Sequence, residues 1–490
     1  MDSNAMTRLS GSELARLIAT KAVSPVELVK AYLERIERYD GQLNAYITVC
    51  KDDAISAAIK AEEMVMKGDQ LGSLHGLPMG VKDQFETEGI LTTGGSTILD
   101  DYVPKRDATT IKRVKEQGVI LLGKLNMTEF AAGMGDPFKY GDPPRNPWNP
   151  ERTPASSSTG SGIAVAASLC AIALGEDTGG SIRAPASANG IVGLRPTWGR
   201  VSRYGLLPIA WSMDAAGPMT RTVEDAALIM NVIAGYDAND PQTSKIPVQD
   251  YTKNLGTELK GIRIGIIQEL MNLDNTNEEV HKALKDAAFH LESLGATVEE
   301  VAFPFLTDMG ATASSVAIVE GVEFHRQWLV ERPKDYGRNL RTRLLSSGLI
   351  PSQLALKAMR IRALFRKEWL RLYEKYDILL SPTSSSTAGK INYEEPLTSR
   401  EEALRRSGIS DSTGKALRGL NSTLPAALAG TPAMSIPCGF DTDGLPVGMQ
   451  IMASHFREDL IFKVGHAYEQ TTNWHTMHPS LDWHPLDTNL

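Results

Sequence analysis

The sequence predicts an α/β fold, with a large mixed and mostly parallel central sheet that is covered by helices. Segments with helical spacing alternate along the chain with short apolar runs, which is the pattern of layered α/β domains. Hydrophobic residues make up 42% and charged residues 22% of the 490 residues, as in ordinary globular proteins. The composition does not shift sharply, so residues 6–490 are expected to form a single domain, with a helical subregion at about 310–373.

The N-terminal part of the chain gives the clearest helix signals. Ser24 precedes Pro25 and Glu27, which together are typical of a helix start, and helical spacing is found over residues 10–39. A second helix is expected over 52–66 and a third over 109–117, with short strands at 78–81 and 119–122. Met6 is a second methionine, so residues 1–5 are interpreted as a remnant of an expression tag and excluded from fold reasoning.

The remaining elements follow the same alternation. A long loop rich in Gly, Pro and Ser is expected at 135–162, followed by a buried apolar helix over 162–174 and a second loop at 175–183. Further along, strands are predicted at 260–267, 297–301 and 378–380. Helices are predicted at 278–294 and 354–373.

Charge, hydropathy and cysteine content exclude several classes of protein. The net charge of −8 argues against a general affinity for nucleic acid or for an anionic membrane, because both need a basic face. No apolar run reaches the roughly 18–20 residues that span a bilayer. The three cysteines are sparse and odd in number, which predicts a cytoplasmic protein without a disulfide framework. No metal-ligand pattern is found, so neither metal nor cofactor is expected, and a homodimer is the default oligomeric state.

Two Ser/Gly segments concentrate the candidate chemistry. The first is 153–162 (TPASSSTGSG) and the second is 175–183 (GEDTGGSIR), in which two glycines precede Ser181. Such glycines let the backbone aim several N–H groups at one point, as an oxyanion hole requires. A plain Ser/Gly turn and an anion-cradling loop explain the composition as well, although no phosphate-loop pattern with its lysine occurs.

A serine nucleophile needs a neighbour that takes its proton, and Lys82 is the candidate. It follows the apolar run 78–81, and a lysine that is desolvated beside such a strand becomes basic near neutral pH. Most lysines are simply exposed charges, which is the alternative at this position. No G-x-S-x-G surrounds Ser157 or Ser181, so a nucleophile elbow is not indicated.

With these segments in view, the chain resembles the amidase-signature hydrolases over residues 71–225 and again over 424–474. The segments that carry the resemblance are 76–83 (GLPMGVKD), 123–130 (GKLNMTEF), 145–149 (RNPWN), the two Ser/Gly segments, 193–202 (GLRPTWGRVS) and 432–439 (PAMSIPCG). The first Ser/Gly segment departs from the family pattern, because Ala155 and Ser156 replace its leading glycines and Thr159 replaces the next one. The resemblance implies the amidase-signature fold.

The resemblance also implies a Ser-Ser-Lys triad. Ser181 is expected to be the nucleophile, Ser157 the relay, with a cis peptide bond before it, and Lys82 the base. The oxyanion hole is expected from the backbone N–H groups of Thr178, Gly179, Gly180 and Ser181. Supporting roles are expected for Ser158, which would hold the relay, and for Asp177 and Arg183, which would brace the nucleophile loop.

The leading hypothesis is a stand-alone amidase that cleaves the C–N bond of a small-molecule carboxylic amide through an acyl-enzyme on Ser181. Phe138, Tyr140, Trp211 and Phe324 lie in segments that vary between family members, and they favour an apolar or aryl amide, with carbamates, hydrazides and esters also open. Two alternatives remain: the amidase subunit of a multi-protein glutamine-type amidotransferase, and a non-enzymatic scaffold or anion-binding module. The expected partner is therefore a small amide-like molecule, with no nucleic acid and no membrane.

Overall fold

The computed structural model describes residues 2–133, 135–256, 258–273, 276–306, 309–391 and 421–482. Its strands are β1 (Tyr46–Val49), β2 (Pro78–Lys82), β3 (Ile120–Leu125), β4 (Ile172–Glu176), β5 (Val192–Arg195), β6 (Ala216–Thr220), β7 (Arg263–Ile267), β8 (Thr297–Val301), β9 (Ile378–Pro382), β10 (Ala433–Phe440) and β11 (Pro446–Met452). Its helices are α1 (Ser3–Thr7), α2 (Gly11–Ala19), α3 (Pro25–Leu43), α4 (Lys51–Lys67), α5 (Thr109–Glu116), α6 (Thr159–Ala166), α7 (Arg183–Asn189), α8 (Val223–Ile233), α9 (Gln268–Met271), α10 (Glu278–Ser293), α11 (Met309–Glu331), α12 (Arg338–Ser347), α13 (Ser352–Lys375), α14 (Leu424–Ala429) and α15 (Glu458–Gln470).

All of these strands join one mixed sheet in the order β1-β3-β2-β4-β6-β5-β10-β11-β9-β7-β8. The α/β class and the large mixed sheet are therefore confirmed. The expected predominance of parallel strands is wrong, because four pairings are parallel and six are antiparallel. One physical reason is the C-terminal hairpin: β10 and β11 are separated by only five residues, which forces them antiparallel, and they insert between β5 and β9.

Local signals set most helix bounds correctly. The Ser24 side chain accepts the backbone N–H groups of Val26 and Glu27 at the start of α3, as its sequence context predicts. The single helix expected over 10–39 is instead two helices, α2 and α3. The chain reverses between them, where Lys21 adopts a φ of 62°.

The helix expected over 162–174 is wrong in its second half. Helix α6 ends at Ala166, Ser168 takes a left-handed φ of 57°, and β4 begins at Ile172. Every residue of both elements is buried. A segment that is apolar on all sides carries no periodicity, so its helical and extended parts look alike in sequence.

Three consecutive helices, α11 to α13, cover residues 309–375, where the helical subregion is expected. They meet the rest of the chain in an aromatic cluster that includes Phe130, Phe324, Trp328 and Tyr336. No described helix is long and apolar enough to cross a membrane. The limits of the single domain stay a prediction, since residues 392–420 and 483–490 lie outside the described part of the chain.

Candidate active site

The carboxyl ends of β2 and β4 place two ionisable side chains against each other. The strands are parallel neighbours, so Lys82 and Glu176, the last residue of each, lie at the same edge of the sheet. Lys82 Nζ is 3.2 Å from Glu176 Oε2 and 2.9 Å from Ser157 Oγ, and all three residues are fully buried. The expected base and relay are therefore in contact, together with an acid that sequence reasoning missed.

Burial shifts the pKa values of both Lys82 and Glu176 towards their neutral forms. It lowers the pKa of Lys82, an effect that the nearby Glu176 carboxyl opposes. It also raises the pKa of Glu176, again against the influence of its partner. Both shifts favour a neutral amine beside a neutral carboxyl. A neutral amine is the form that a proton acceptor requires.

The hydroxyl of Ser181 contacts a different serine from the expected one. Ser181 Oγ lies 2.9 Å from Ser156 Oγ, and no hydrogen bond between Ser181 and Ser157 is found among the described residues. The cis peptide bond expected before Ser157 is also not found there. Instead, Ala155 and Ser156 adopt left-handed φ values of 61° and 35°, at the two positions where the family pattern has glycine.

The backbone N–H groups after Asp177 differ in whether they have an acceptor. Among the described hydrogen bonds, the N–H groups of Thr178, Gly179 and Ser181 have no acceptor, whereas that of Gly180 donates to Asp177 Oδ1 at 2.8 Å. Three of the four expected oxyanion donors thus have no competing acceptor among the described hydrogen bonds, and their role stays a prediction. Gly180 is required for another reason: at a φ of +134°, an added Cβ would lie 2.2 Å from Thr423 Oγ1.

A buried ion network holds the nucleophile loop. Arg183 donates two hydrogen bonds to Asp177, of 2.9 and 2.8 Å, and Arg195 Nη1 lies 3.2 Å from the same carboxylate. Burial alone would raise the pKa of Asp177, but the two guanidinium groups hold it well below its usual range. Arg183 also donates to Gln450 Oε1 at 2.6 Å, which ties the loop to β11. The loop is thus fixed to the sheet by charge-assisted bonds.

Two further hydroxyl groups organise Glu176. Ser158 Oγ donates to the carbonyl of Glu176 at 3.1 Å and accepts its N–H at 3.3 Å, so Ser158 holds the end of β4, and no bond from it to the Ser157 hydroxyl is among the described hydrogen bonds. Thr178 Oγ1 lies 2.7 Å from Glu176 Oε1 and 2.8 Å from Asp214 Oδ1. Asp214 has no sequence signal, because it lies in the loop before β6, remote from both Ser/Gly segments.

A cleft of about 230 Å³ opens beside Ser156, whose hydroxyl contacts Ser181. Its lining is mixed: polar residues such as Thr128, Thr153 and Lys390 alternate with apolar ones, among them Phe138. Phe324, expected at the pocket, packs in the aromatic cluster instead. In the part of the chain that the structure describes, no group of three His, Cys, Asp or Glu side chains is arranged to hold a metal ion.

Similarity to known proteins places this site in a family. The family model described as Amidase matches residues 27–462, so the chain belongs to the amidase family, whose members carry the amidase signature. The protein is accordingly an amidase that acts on carbon–nitrogen bonds other than peptide bonds, a serine-type hydrolase by family.

Three relatives illustrate the range of the family. The A subunit of glutamyl-tRNA(Gln) amidotransferase from Carboxydothermus hydrogenoformans is 39% identical over 96% of this chain and 99% of its own length. The structure of the same subunit from Thermotoga maritima superposes with a TM-score of 0.79 at 33% identity, covering 98% of this chain and 99% of that one. A chain from a vestigial protein complex, described with the evolutionary origins of an s-triazine catabolic enzyme, gives a TM-score of 0.84 at 32% identity and covers 94% of this chain and 98% of that one.

These relatives correct two expectations from the sequence. The leading hypothesis of a stand-alone amidase for small, apolar or aryl amides is wrong, because the nearly full-length relatives are subunits of an amidotransferase. The expected partner, a small molecule without nucleic acid, is wrong for the same reason, since those relatives are named for glutamyl-tRNA(Gln). The triad motifs are shared by lone amidases and by such subunits, so they do not distinguish the two.

Replacing Ser156 by glycine is expected to raise kcat by about 2–10-fold. The change removes a hydroxyl that competes for the Ser181 hydroxyl with the proposed relay Ser157, and one neutral hydrogen bond is worth about 0.5–1.5 kcal/mol. Ser156→Ala is the matched control, because it removes the same hydroxyl but keeps a Cβ at the left-handed φ, so it should match the glycine variant in kcat and fall below it in thermal stability. A fall of kcat in both variants would instead make the Ser156 hydroxyl part of the proton path.

Proposed function

We propose that this chain is the amidase subunit of a multi-protein, glutamine-dependent amidotransferase that acts on glutamyl-tRNA(Gln). The observation that carries the proposal is the likeness to one subunit of that enzyme over nearly its whole length, at 36–39% identity. In this function the chain releases ammonia from the amide of glutamine. The complex then uses that ammonia to convert the side-chain carboxylate of the glutamyl group into an amide, after a nucleoside triphosphate has activated that carboxylate as a phosphate ester whose phosphate leaves with the oxygen. The cytoplasmic location expected from the sparse cysteines is part of the same proposal.

The proposed chemistry assigns each residue of the site one role. Ser181 Oγ attacks the amide carbon while its proton passes by way of the Ser157 hydroxyl to neutral Lys82. The N–H groups of Thr178, Gly179 and Ser181 stabilise the oxyanion. The proton then returns to the leaving nitrogen, which departs as ammonia, and water hydrolyses the acyl-enzyme to glutamate and free Ser181.

The cleft beside Ser156 offers a cation to the α-carboxylate of a substrate. Glutamine carries such a carboxylate, and Lys390 in the cleft lining has the opposite charge. Burying the charge of a ligand requires a partner of this kind. Asp136, also in the lining, accepts the N–H groups of Asn339 and Leu340 at the start of α12.

The surface of the helical region supports a partner protein. Five leucines of α12, of α13 and of the turn between them are at least half exposed: Leu345 50%, Leu349 82%, Leu354 55%, Leu356 64% and Leu364 66%. Large exposed apolar side chains concentrated in one helical region are typical of interaction surfaces.

The proposal predicts that activity depends on partners. Purified from its native host, the chain should co-purify with other subunits, and the complex should convert glutamyl-tRNA(Gln) in the presence of glutamine. Glutamine hydrolysis by the separated chain should be slower than by the complex, since the complete enzyme orders the site. A chain that purifies alone and hydrolyses simple aryl amides as fast as it does in any complex would contradict the proposal.

A further inference from the structure

The most unusual feature of the site is a hydroxyl placed between two buried carboxyl groups. Thr178 Oγ1 lies within 2.8 Å of both Glu176 Oε1 and Asp214 Oδ1. A threonine hydroxyl has a single proton and can donate to only one of them. The other contact therefore needs a second proton, held by a carboxyl group, since two oxygen atoms at this distance with no proton between them would repel each other. One acid of the pair is protonated.

The surrounding donors decide which acid carries that proton. Both oxygens of Asp214 accept backbone N–H groups, from Ile209 at 2.9 Å and from Ala210 at 3.0 Å, and such donors stabilise a carboxylate. Glu176 Oε1 has no described partner other than Thr178. The arrangement that satisfies every group is a protonated Glu176 that donates to Thr178, which in turn donates to an ionised Asp214.

This arrangement determines the state of Lys82. An ionised Glu176 at 3.2 Å would hold Lys82 as an ammonium ion, whereas a neutral Glu176 accepts an N–H from a neutral amine. We propose that Glu176 is a positioning residue that is protonated in the resting enzyme and, through Thr178 and Asp214, keeps Lys82 in the neutral form that accepts a proton. The inference rests on the proposed role of Lys82 as the base.

The other charged groups around Glu176 are consistent with this arrangement. Lys82 faces it from β2, Asp214 from the loop before β6, and Arg195 from β5, while Asp177 follows it in the chain. Asp177 is ionised and occupied by Arg183 and Arg195, so it offers Lys82 no direct contact. Burial, and next the charge of Glu176, raise the pKa of Asp214 to about 7, and a neutral Glu176 removes the second of these causes.

The variant Glu176→Gln distinguishes a neutral from an ionised Glu176, because glutamine resembles the protonated acid in shape and can also donate a hydrogen bond. If Glu176 is neutral, the acid limb of the kcat/KM–pH profile should stay within about 0.3 of a pH unit of its wild-type position. If Glu176 is an ionised partner of Lys82, its loss should move that limb down by about one unit or more. The second result would overturn the proposal.

Thr178→Val tests the bridge while it keeps the backbone N–H. With the hydroxyl gone, Glu176 has no acceptor for its proton and should ionise beside Lys82, which moves the acid limb up by about one unit. Adding Glu176→Gln to this variant should return the limb to its wild-type position. A limb that stays in place in Thr178→Val, or one that the second change does not restore, would contradict the role of the bridge.

An infrared measurement gives a result that does not depend on turnover. The difference spectrum between wild type and Glu176→Gln at neutral pH should contain the carbonyl band of a protonated carboxylic acid. The difference is needed because burial also raises the pKa of Glu469, to about 8, and that acid contributes a band to both proteins. Absence of a carbonyl band from the difference spectrum would overturn the proposal. The band could behave as expected in an enzyme that does not use glutamine. That result would support a protonated Glu176 and would reject only the proposed function.

Discussion

Replacing Ser181 by alanine is expected to lower glutamine-dependent turnover by about 10⁴-fold or more. The variant keeps the backbone N–H of residue 181 and its buried surroundings but has no atom that can form the acyl-enzyme. Steady-state release of ammonia from glutamine measures the loss directly. Lys82→Ala should lose activity on a similar scale, and the double variant should be little worse, because residues that act as one unit are not additive.

Supplied ammonium salt provides the decisive control for Ser181→Ala. The proposed function of this chain ends once ammonia is released, so a complex with the variant should still amidate glutamyl-tRNA(Gln) when ammonia is added. Ser293→Ala, at the exposed end of α10, should behave as wild type with either nitrogen source. Glutamine-dependent turnover that survives in Ser181→Ala would contradict the assignment of the nucleophile.

Sequence reasoning succeeded where a local signal sets the structure. The Ser24-Pro25 helix start, the strand that ends at Lys82 and the bounds of β8 need only neighbouring residues, and each was predicted to within one residue at that end. The order of strands depends on contacts between segments hundreds of residues apart. The insertion of β10 and β11 between β5 and β9 therefore has no local signal, and the balance of parallel and antiparallel strands was missed.

In the site, too, the residues were predictable from local motifs, whereas the contacts between their atoms were not. The sequence motifs predict Lys82, Ser157 and Ser181 as candidate site residues. The fold places Lys82 and Ser157 in contact. Which serine meets Ser181 depends on the backbone angles at Ala155 and Ser156, which depart from the family pattern. Glu176 lies inside the second Ser/Gly segment, and its position at the end of a strand next to that of Lys82 could have predicted the contact between them. Asp214 has no such signal in the sequence.

The function was the least accessible part, for a physical reason. Ser-Ser-Lys chemistry is local to the site, and it serves a lone amidase and an amidotransferase subunit equally well. The proposed dependence on partners would reside in surface residues, for which the exposed leucines of α12 and α13 are candidates. Exposure cannot be read from the sequence, where an apolar residue of the surface looks the same as one of the core.

Replacing Asp177 by alanine is expected to produce the largest loss of stability, about 3–5 kcal/mol. The change leaves Arg183 and Arg195 buried without their shared carboxylate, and an uncompensated buried charge has this order of cost. It also removes the acceptors of the Gly180 and Ile182 N–H groups, so the nucleophile loop loses its anchor. Urea unfolding at pH 7, followed by circular dichroism, measures the loss.

Asp443→Ala is the matched control, since Asp443 pairs with Arg152 at 2.7 Å but is 60% exposed. It should cost less than about 1 kcal/mol, because solvent screens such a pair. The difference between wild type and Asp177→Ala should also depend on pH. The native state lowers the pKa of Asp177, so its contribution is complete above about pH 5 and declines as the pH falls below the unfolded value of about 3.9. If Asp177→Ala lowers the free energy of unfolding no more than Asp443→Ala does, the ion network of Asp177, Arg183 and Arg195 does not hold the nucleophile loop. The distinction between this network and the Glu176–Asp214 pair would then be wrong.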